Sequence, residues 1–249
     1  MTILHKIRLV IRRLGFDVSR YPDITTDPDL RVARLLDNYG VTMVLDVGAA
    51  VGGFGIALRR NGYAGEIVSF EPLSGPYRDL VKASKNDRKW QAIPVAVGKQ
   101  SGAILIHVAG NSVSSSVLEM LPLHRSAAPL SHSVGTQESS IVSLDDWAVD
   151  SLAADARIFL KVDVQGYEAA VLDGASRTLQ QALCIQLEVS FVALYGDAPS
   201  YIELFDRMDK SGFSPVSISP VFIDKRVGQV LQADVVFARK HLADGSLRL

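Results

Sequence analysis

The chain holds one cysteine in 249 residues and carries a net charge of −1. The lone Cys184, inside the apolar run LCIQLEV, excludes a disulfide framework. It reads as a small buried hydrophobe in a reducing compartment. The near-zero charge excludes a global basic field of the kind that recruits nucleic acid, so no nucleic-acid partner is expected. No stretch reaches the roughly 18 consecutive apolar residues of a membrane span. The N-terminus lacks both a long apolar stretch and a small-residue cleavage site, and a cytoplasmic location is expected. Internal repeats are absent too. What is plentiful is apolar residues, 48% of the chain, enough for the core of one large domain.

The first segment, MTILHKIRLVIRRLGFDV, interleaves Ile3, Ile7, Val10, Leu14 and Phe16 with Lys6, Arg8, Arg12 and Arg13. The spacing is helical with one basic face. Such a helix either packs on the main domain or touches an anionic membrane surface. DPDLRVARLLDNY (27–39) reads as a second helix, with Asp27 as N-cap and Gly40 as stop. Residues 1–40 are therefore expected to form an N-terminal helical segment and 41–249 the main domain.

From residue 42 onward strand-like and helical runs alternate. TMVLDVG, EIVSFEP and WQAIPVAVG read as strands, with GFGIALRRNG and PYRDLVKASKN as the helices between them. That order predicts an α/β fold with a mostly parallel, doubly wound sheet. RIFLKVDVQG and LCIQLEVS continue it, with helices expected over YEAAVLDGASRTLQQA and SYIELFDRMDKSG. SPVSISP and ADVVFARK close the chain as an antiparallel strand pair. The middle breaks the pattern. GAILIHVAG and SSIVSLDDW read as strands, but residues 111–138 between them are Ser-rich and weakly periodic, and a lid loop is expected there.

A β-type run carrying one acid, then four glycines, stands at VLDVGAAVGGFG (44–55). A strand feeding such a turn cradles a nucleotide-like ligand. A dinucleotide would require G-x-G-x-x-G, and the phase here gives Gly48, Ala50, Gly53. Asp46 would also set a carboxylate where two phosphates belong. A cationic ligand suits it better, and S-adenosylmethionine bears an ammonium and a sulfonium. Glu71 then ends the second strand, where an acid accepts hydrogen bonds from ribose hydroxyls.

A second constellation lies in RIFLKVDVQGYE, where Lys161, Asp163 and Gln165 share one strand face. Charge in an apolar strand is costly unless paired or functional. The next strand ends in Glu188. Asp163 and Glu188 on adjacent strand ends are a candidate Mg²⁺ pair, since that ion takes oxygen ligands. Pairing of Asp163 with Lys161 is the alternative. His124 and His132, inside the expected lid, could supply a general base.

LDVGAAVG, FEP, VAVG, NSVSSS, VSLDDW, LKVDVQGYEAAVLDGA and QLEVS occur in an order that resembles the FkbM family of S-adenosylmethionine-dependent methyltransferases. The resemblance spans roughly residues 42–240. It implies a Rossmann-like fold of the class I methyltransferase type and an O-methyltransferase acting on a sugar of a glycolipid, polysaccharide or glycosylated natural product. The expected cofactor contacts are Asp46, Gly48, Ala49, Gly52, Phe54, Glu71, Pro72, Val97, Asn111, Ser115 and Asp163. The expected catalytic residues are Asp163, Glu188 and His132, with Asp163 and Glu188 as ligands if Mg²⁺ takes part. Two positions depart from the family pattern: Ala50 stands where Asn is usual, and Gln165 where Glu is usual. A non-catalytic cofactor-binding module and a nicotinamide-dependent oxidoreductase are the competing readings.

Overall fold

The computed structural model describes residues 3–16, 18 and 22–240, the side chains of residues 3–6 excepted. Ile3 and Lys6 of the expected amphipathic face, together with Asp17, thus lie outside the described side chains. Helix α1 (Ile3–Arg13) forms as the spacing predicts, and Ile7, Val10 and Leu14 are exposed. Helix α2 (Pro28–Asn38) starts where Asp27 caps the Leu30 amide and Pro28 fills a first-turn position needing no N–H donor. Its Val32 and Leu36 bury in the same cluster as Val44, Leu58 and Phe159.

The sheet follows from the alternation. Strand β1 (Met43–Val47) is buried along its whole length, as a parallel strand covered on both faces must be. Helix α3 (Gly53–Arg60), β2 (Glu66–Phe70), α4 (Ser74–Ser84) and β3 (Trp90–Ile93) build one half. Strands β7 (Ile158–Val162) and β8 (Ala182–Ser190), helix α9 (Tyr201–Lys210) and the antiparallel pair β9 (Phe213–Asp224) and β10 (Gln229–Arg239) build the other. The seven strands run β3-β2-β1-β7-β8-β10-β9, with β10 antiparallel to both neighbours. Chain order reverses between β1 and β7, and the crevice above their carboxyl ends is where doubly wound sheets bind ligands.

Three expectations are corrected. The strand expected over WQAIPVAVG splits at Pro94, which has no N–H for the ladder. Its second part, β4 (Ala96–Val97), joins β5 (Gly102–Ala109) and β6 (Ser133–Val142) in a separate three-stranded sheet. Residues 111–138 are not one irregular lid. They hold α5 (Pro122–Ala127), a 3₁₀ turn at Pro129–Ser131 and the first half of β6. The Ser-rich start of β6 shows no apolar alternation because backbone pairing to β5, not burial, makes it a strand. The helix expected from Tyr167 to Ala182 is two, α7 (Glu168–Asp173) and α8 (Thr178–Gln181), broken at Gly174. A Cβ there would collide with the Gly98 carbonyl. Helix α6 (Leu144–Ser151), capped by Ser143, leads into β7.

Candidate active site

The glycine turn is shaped by close backbone contact. A Cβ at Gly48 would strike the Asp163 carbonyl oxygen, so β1 and β7 can approach only with glycine there. Gly48 and Gly52 adopt φ of 79° and 86°, left-handed values open to glycine at no steric cost. Ala50 also turns left-handed, at φ 46°. Its strain is offset by a hydrogen bond, since the Ala50 amide donates to Glu71 Oε2 at 2.8 Å. The Leu73 amide donates to Oε1 of the same carboxylate, also at 2.8 Å. Glu71 thus ties the first turn to the end of its own strand. Burial pushes its pKa up to about 7, against the pull of those two amides.

A chain of polar groups then crosses the strand ends. Asp46 is fully buried and accepts a hydrogen bond from Ser69. Lys161 lies beside it in register on β7, its ammonium 3.4 Å from Asp46 and 3.2 Å from Asp163. Burial opposes the charge on Lys161, but Asp163, Asp46 and Asp234 outweigh it and hold the pKa above the ordinary lysine value. Gln165 Nε2 donates to Asp163 Oδ1 at 2.9 Å and to Glu188 Oε2 at 2.6 Å. Gln232, from β10, donates to the same Glu188 oxygen at 2.7 Å. Burial, then the nearby carboxylates Asp163, Glu168 and Asp234, raise the Glu188 pKa well above the usual range.

Above these groups opens a cavity of about 350 Å³. One end is walled by Gly48, Ala50, Glu71, Pro72 and Val97. Asn111–Val117 forms its roof. There Asn111 accepts from the Ser114 amide, Ser115 Oγ accepts from the Ala109 amide, and Ser116 Oγ donates to the Gln165 carbonyl. The other end is lined by Asp163, Gln165, Glu188, Gln232, His124 and Phe222. His124 is buried between the rings of Tyr195 and Phe222, at 5.1 and 5.2 Å, and its Nδ1 has no hydrogen-bond partner. Burial lowers its pKa to about 4, so the ring is neutral near pH 7.

A sequence model described as the methyltransferase FkbM domain matches residues 46–215, from β1 into β9. The chain belongs to the FkbM methyltransferase family. A solved FkbM methyltransferase from Methylobacillus flagellatus is 12% identical with a TM-score of 0.46. The match covers 79% of this chain and 43% of that one, so the present chain spans less than half of its length. The Burkholderia thailandensis 1,6-didemethyltoxoflavin-N1-methyltransferase is 13% identical over 96% of this chain and 91% of its own, with a TM-score of 0.45. Magnesium protoporphyrin IX methyltransferase from Synechocystis is 11% identical over 96% and 98%, with a TM-score of 0.47. No curated protein matches the chain.

In this FkbM methyltransferase the cavity gathers Gly48, Glu71, Pro72, Val97, Asn111, Ser115, Asp163 and Glu188 from the expected set. Asp46 is not among the lining residues. It sits behind Lys161 as a buried counter-charge, because a mid-strand position in a covered sheet faces the next layer rather than the crevice. Ala49 packs into the core, Gly52 lies against Leu80 and Trp90, and Phe54 stacks on Phe159 at 6.1 Å. His132 is exposed, with a ring nitrogen 3.3 Å from the Pro129 carbonyl, and stands outside the cavity. His124, the other histidine of the expected lid, lines the cavity and is the one buried residue of α5.

The expected Mg²⁺ pair, Asp163 and Glu188, gains no support from its surroundings. An amide nitrogen lies between the two carboxylates, and among the described residues no group of three or more His, Cys, Asp or Glu could hold a metal ion. Tyr195, Gln232 and Phe222 carried no signal in the sequence. They reach the site from the β8–α9 connection and from the C-terminal pair, and only the strand order brings them there.

Proposed function

We propose that the protein transfers the methyl group of S-adenosylmethionine to a hydroxyl of a sugar carried on a glycolipid, polysaccharide or glycosylated natural product. The observation that carries this reading is one cavity with a carboxylate at each end, Glu71 over the glycine turn and Glu188 over β8. The residues fit the cofactor. Glu71 has lone pairs left for ribose hydroxyls after its two backbone bonds, and Val95, Val97 and Ile106 offer an apolar wall to a flat base. When bound, S-adenosylmethionine supplies an electrophilic methyl carbon on a positively charged sulfur.

The remaining chemistry belongs to the chain. A hydroxyl is a weak nucleophile until its proton is taken. Glu188 suits that role: both amides converge on Oε2, and Oε1 takes no hydrogen bond from the described protein. Burial and the neighbouring carboxylates raise its pKa, which makes the ionised carboxylate a stronger base. Bound there, S-adenosylmethionine would supply its methyl carbon to the acceptor oxygen and leave as the neutral thioether, and Glu188 would hold the hydroxyl proton. Asp163 has one oxygen on Lys161 and the other on Gln165, so it positions rather than accepts. Phe222 and neutral His124 form a face on which a sugar ring can rest while its hydroxyls meet Gln232 and Glu188. The exposed Ile7 and Val10 of α1, with Leu14 just past its end, support an acceptor presented at a membrane surface, and co-sedimentation with anionic vesicles checks that contact.

The test is transfer of labelled methyl from S-adenosylmethionine into glycolipid and oligosaccharide extracts, followed by hydrolysis to methyl sugars. Label recovered as an O-methyl sugar supports the reading. Label found only in protein, nucleic acid or N-methyl products overturns it.

A further inference from the structure

We propose that Gln165 is a fixed, uncharged stand-in for a cation: its amide holds Asp163 and Glu188 together and closes the position between them to divalent metal. Two buried or half-buried carboxylates facing one point repel each other unless positive charge or hydrogen-bond donors lie between them. Here the donors are the two N–H bonds of one amide, one at 2.9 Å from Asp163 Oδ1 and one at 2.6 Å from Glu188 Oε2. The count matches the chemistry, since Nε2 has two hydrogens and each meets one carboxylate.

The amide cannot turn over. Its Oε1 lies 2.8 Å from the Tyr195 hydroxyl, and a flip would set that oxygen against two carboxylate oxygens. The backbone is held as firmly. Gln165 adopts φ 55°, and its carbonyl accepts from Ser116 Oγ at 2.7 Å. Every polar atom of the side chain is used and the residue is 9% exposed. A divalent ion of the Mg²⁺ type needs several oxygen ligands in close octahedral array. An amide nitrogen offers it no lone pair, and both N–H bonds point at the oxygens the ion would take. Entry would require breaking two charge-assisted bonds and turning a left-handed residue held from three sides.

Mn²⁺ serves as the probe, titrated into the full chain. In the parent, the ¹⁵N-labelled side-chain amide of Gln165, assigned by its loss in Gln165→Leu, should keep its line width through the titration. Gln165→Glu completes a three-carboxylate group. It should bind Mn²⁺ roughly tenfold or more tightly than the parent, by electron paramagnetic resonance, with a melting temperature that rises with the ion. Broadening of the parental Gln165 amide by Mn²⁺, abolished in Glu188→Gln, would overturn the inference, as would a folded Gln165→Glu that binds no more tightly. If Gln165→Glu does not fold, the parental line width decides alone. That methyl transfer here needs no divalent cation is a corollary resting on the function proposed above. The Mn²⁺ readouts do not rest on it, so the two ideas fail separately.

Discussion

The two ends of the cavity floor hold the same kind of group by different means. At the end of β2, Glu71 is fixed by backbone amides, those of Ala50 and Leu73. At the end of β8, Glu188 is fixed by side-chain amides, from Gln165 at 23 residues' separation and Gln232 at 44. Backbone donors come with the fold and survive any substitution that leaves the turn intact. Side-chain donors are removed one at a time, without moving a strand. The β2 end is therefore built for a constant ligand, and the β8 end can be retuned while the scaffold stays.

The largest effect that would sharpen this contrast is expected at the β8 end. Glu188→Gln keeps an oxygen for both amides but removes the base, and turnover should fall about 10²- to 10⁴-fold with cofactor affinity unchanged. An equal loss of S-adenosylhomocysteine binding by calorimetry would show that the ends are not separate. Next comes the link between them. Lys161→Met leaves the buried Asp46 and the half-buried Asp163 without their cation, and denaturant melts should show a loss of about 3–5 kcal/mol. Glu71→Ala should weaken S-adenosylhomocysteine binding by about 1.5–3 kcal/mol while Glu188-dependent chemistry at saturating cofactor persists.

A smaller effect is read in pH. The Glu71 and Glu168 pKa values are raised to about 7, chiefly by burial, so the folded protein holds those protons more tightly than the unfolded chain. The stabilisation is complete below the ordinary carboxylate range and is lost as pH rises through about 7. Free protein should therefore resist denaturant better at pH 5.5 than at pH 8 as far as these groups decide. Ribose hydroxyls favour the ionised Glu71, so cofactor binding near pH 6.5 should release a proton, visible as a buffer-dependent heat. Smallest of all, His132→Ala should change stability and turnover by less than about 0.5 kcal/mol, whereas His124→Phe should raise the acceptor KM.

The fold was largely legible because the parallel strands are buried on both faces and written as mainly apolar runs, MVLDV, IFLKV and LCIQLEV, with few polar interruptions. The glycine turn and Glu71 were legible for a related reason, as each stands where such an apolar run ends. The legible part ends at β6, whose Ser-rich start looked like a loop because its partner strand, not its own apolar pattern, makes it extended. Asp46 was misplaced for the same kind of cause. Its sequence neighbours say that it ends a strand, but only Lys161, in register on β7, says which way its carboxylate is satisfied.

By itself, then, the sequence determined the α/β alternation, the turn and the presence of acids at three strand ends, because each depends on residues close in the chain. Tertiary structure alone decided what those acids do. Strand order placed β7 between β1 and β8 and carried β10 beside β8, bringing Gln165 and Gln232 onto one carboxylate oxygen. Whether a buried carboxylate becomes a counter-charge, a clamp or a base depends on the donors within about 3 Å of it. Those donors come from segments that meet only when the sheet closes.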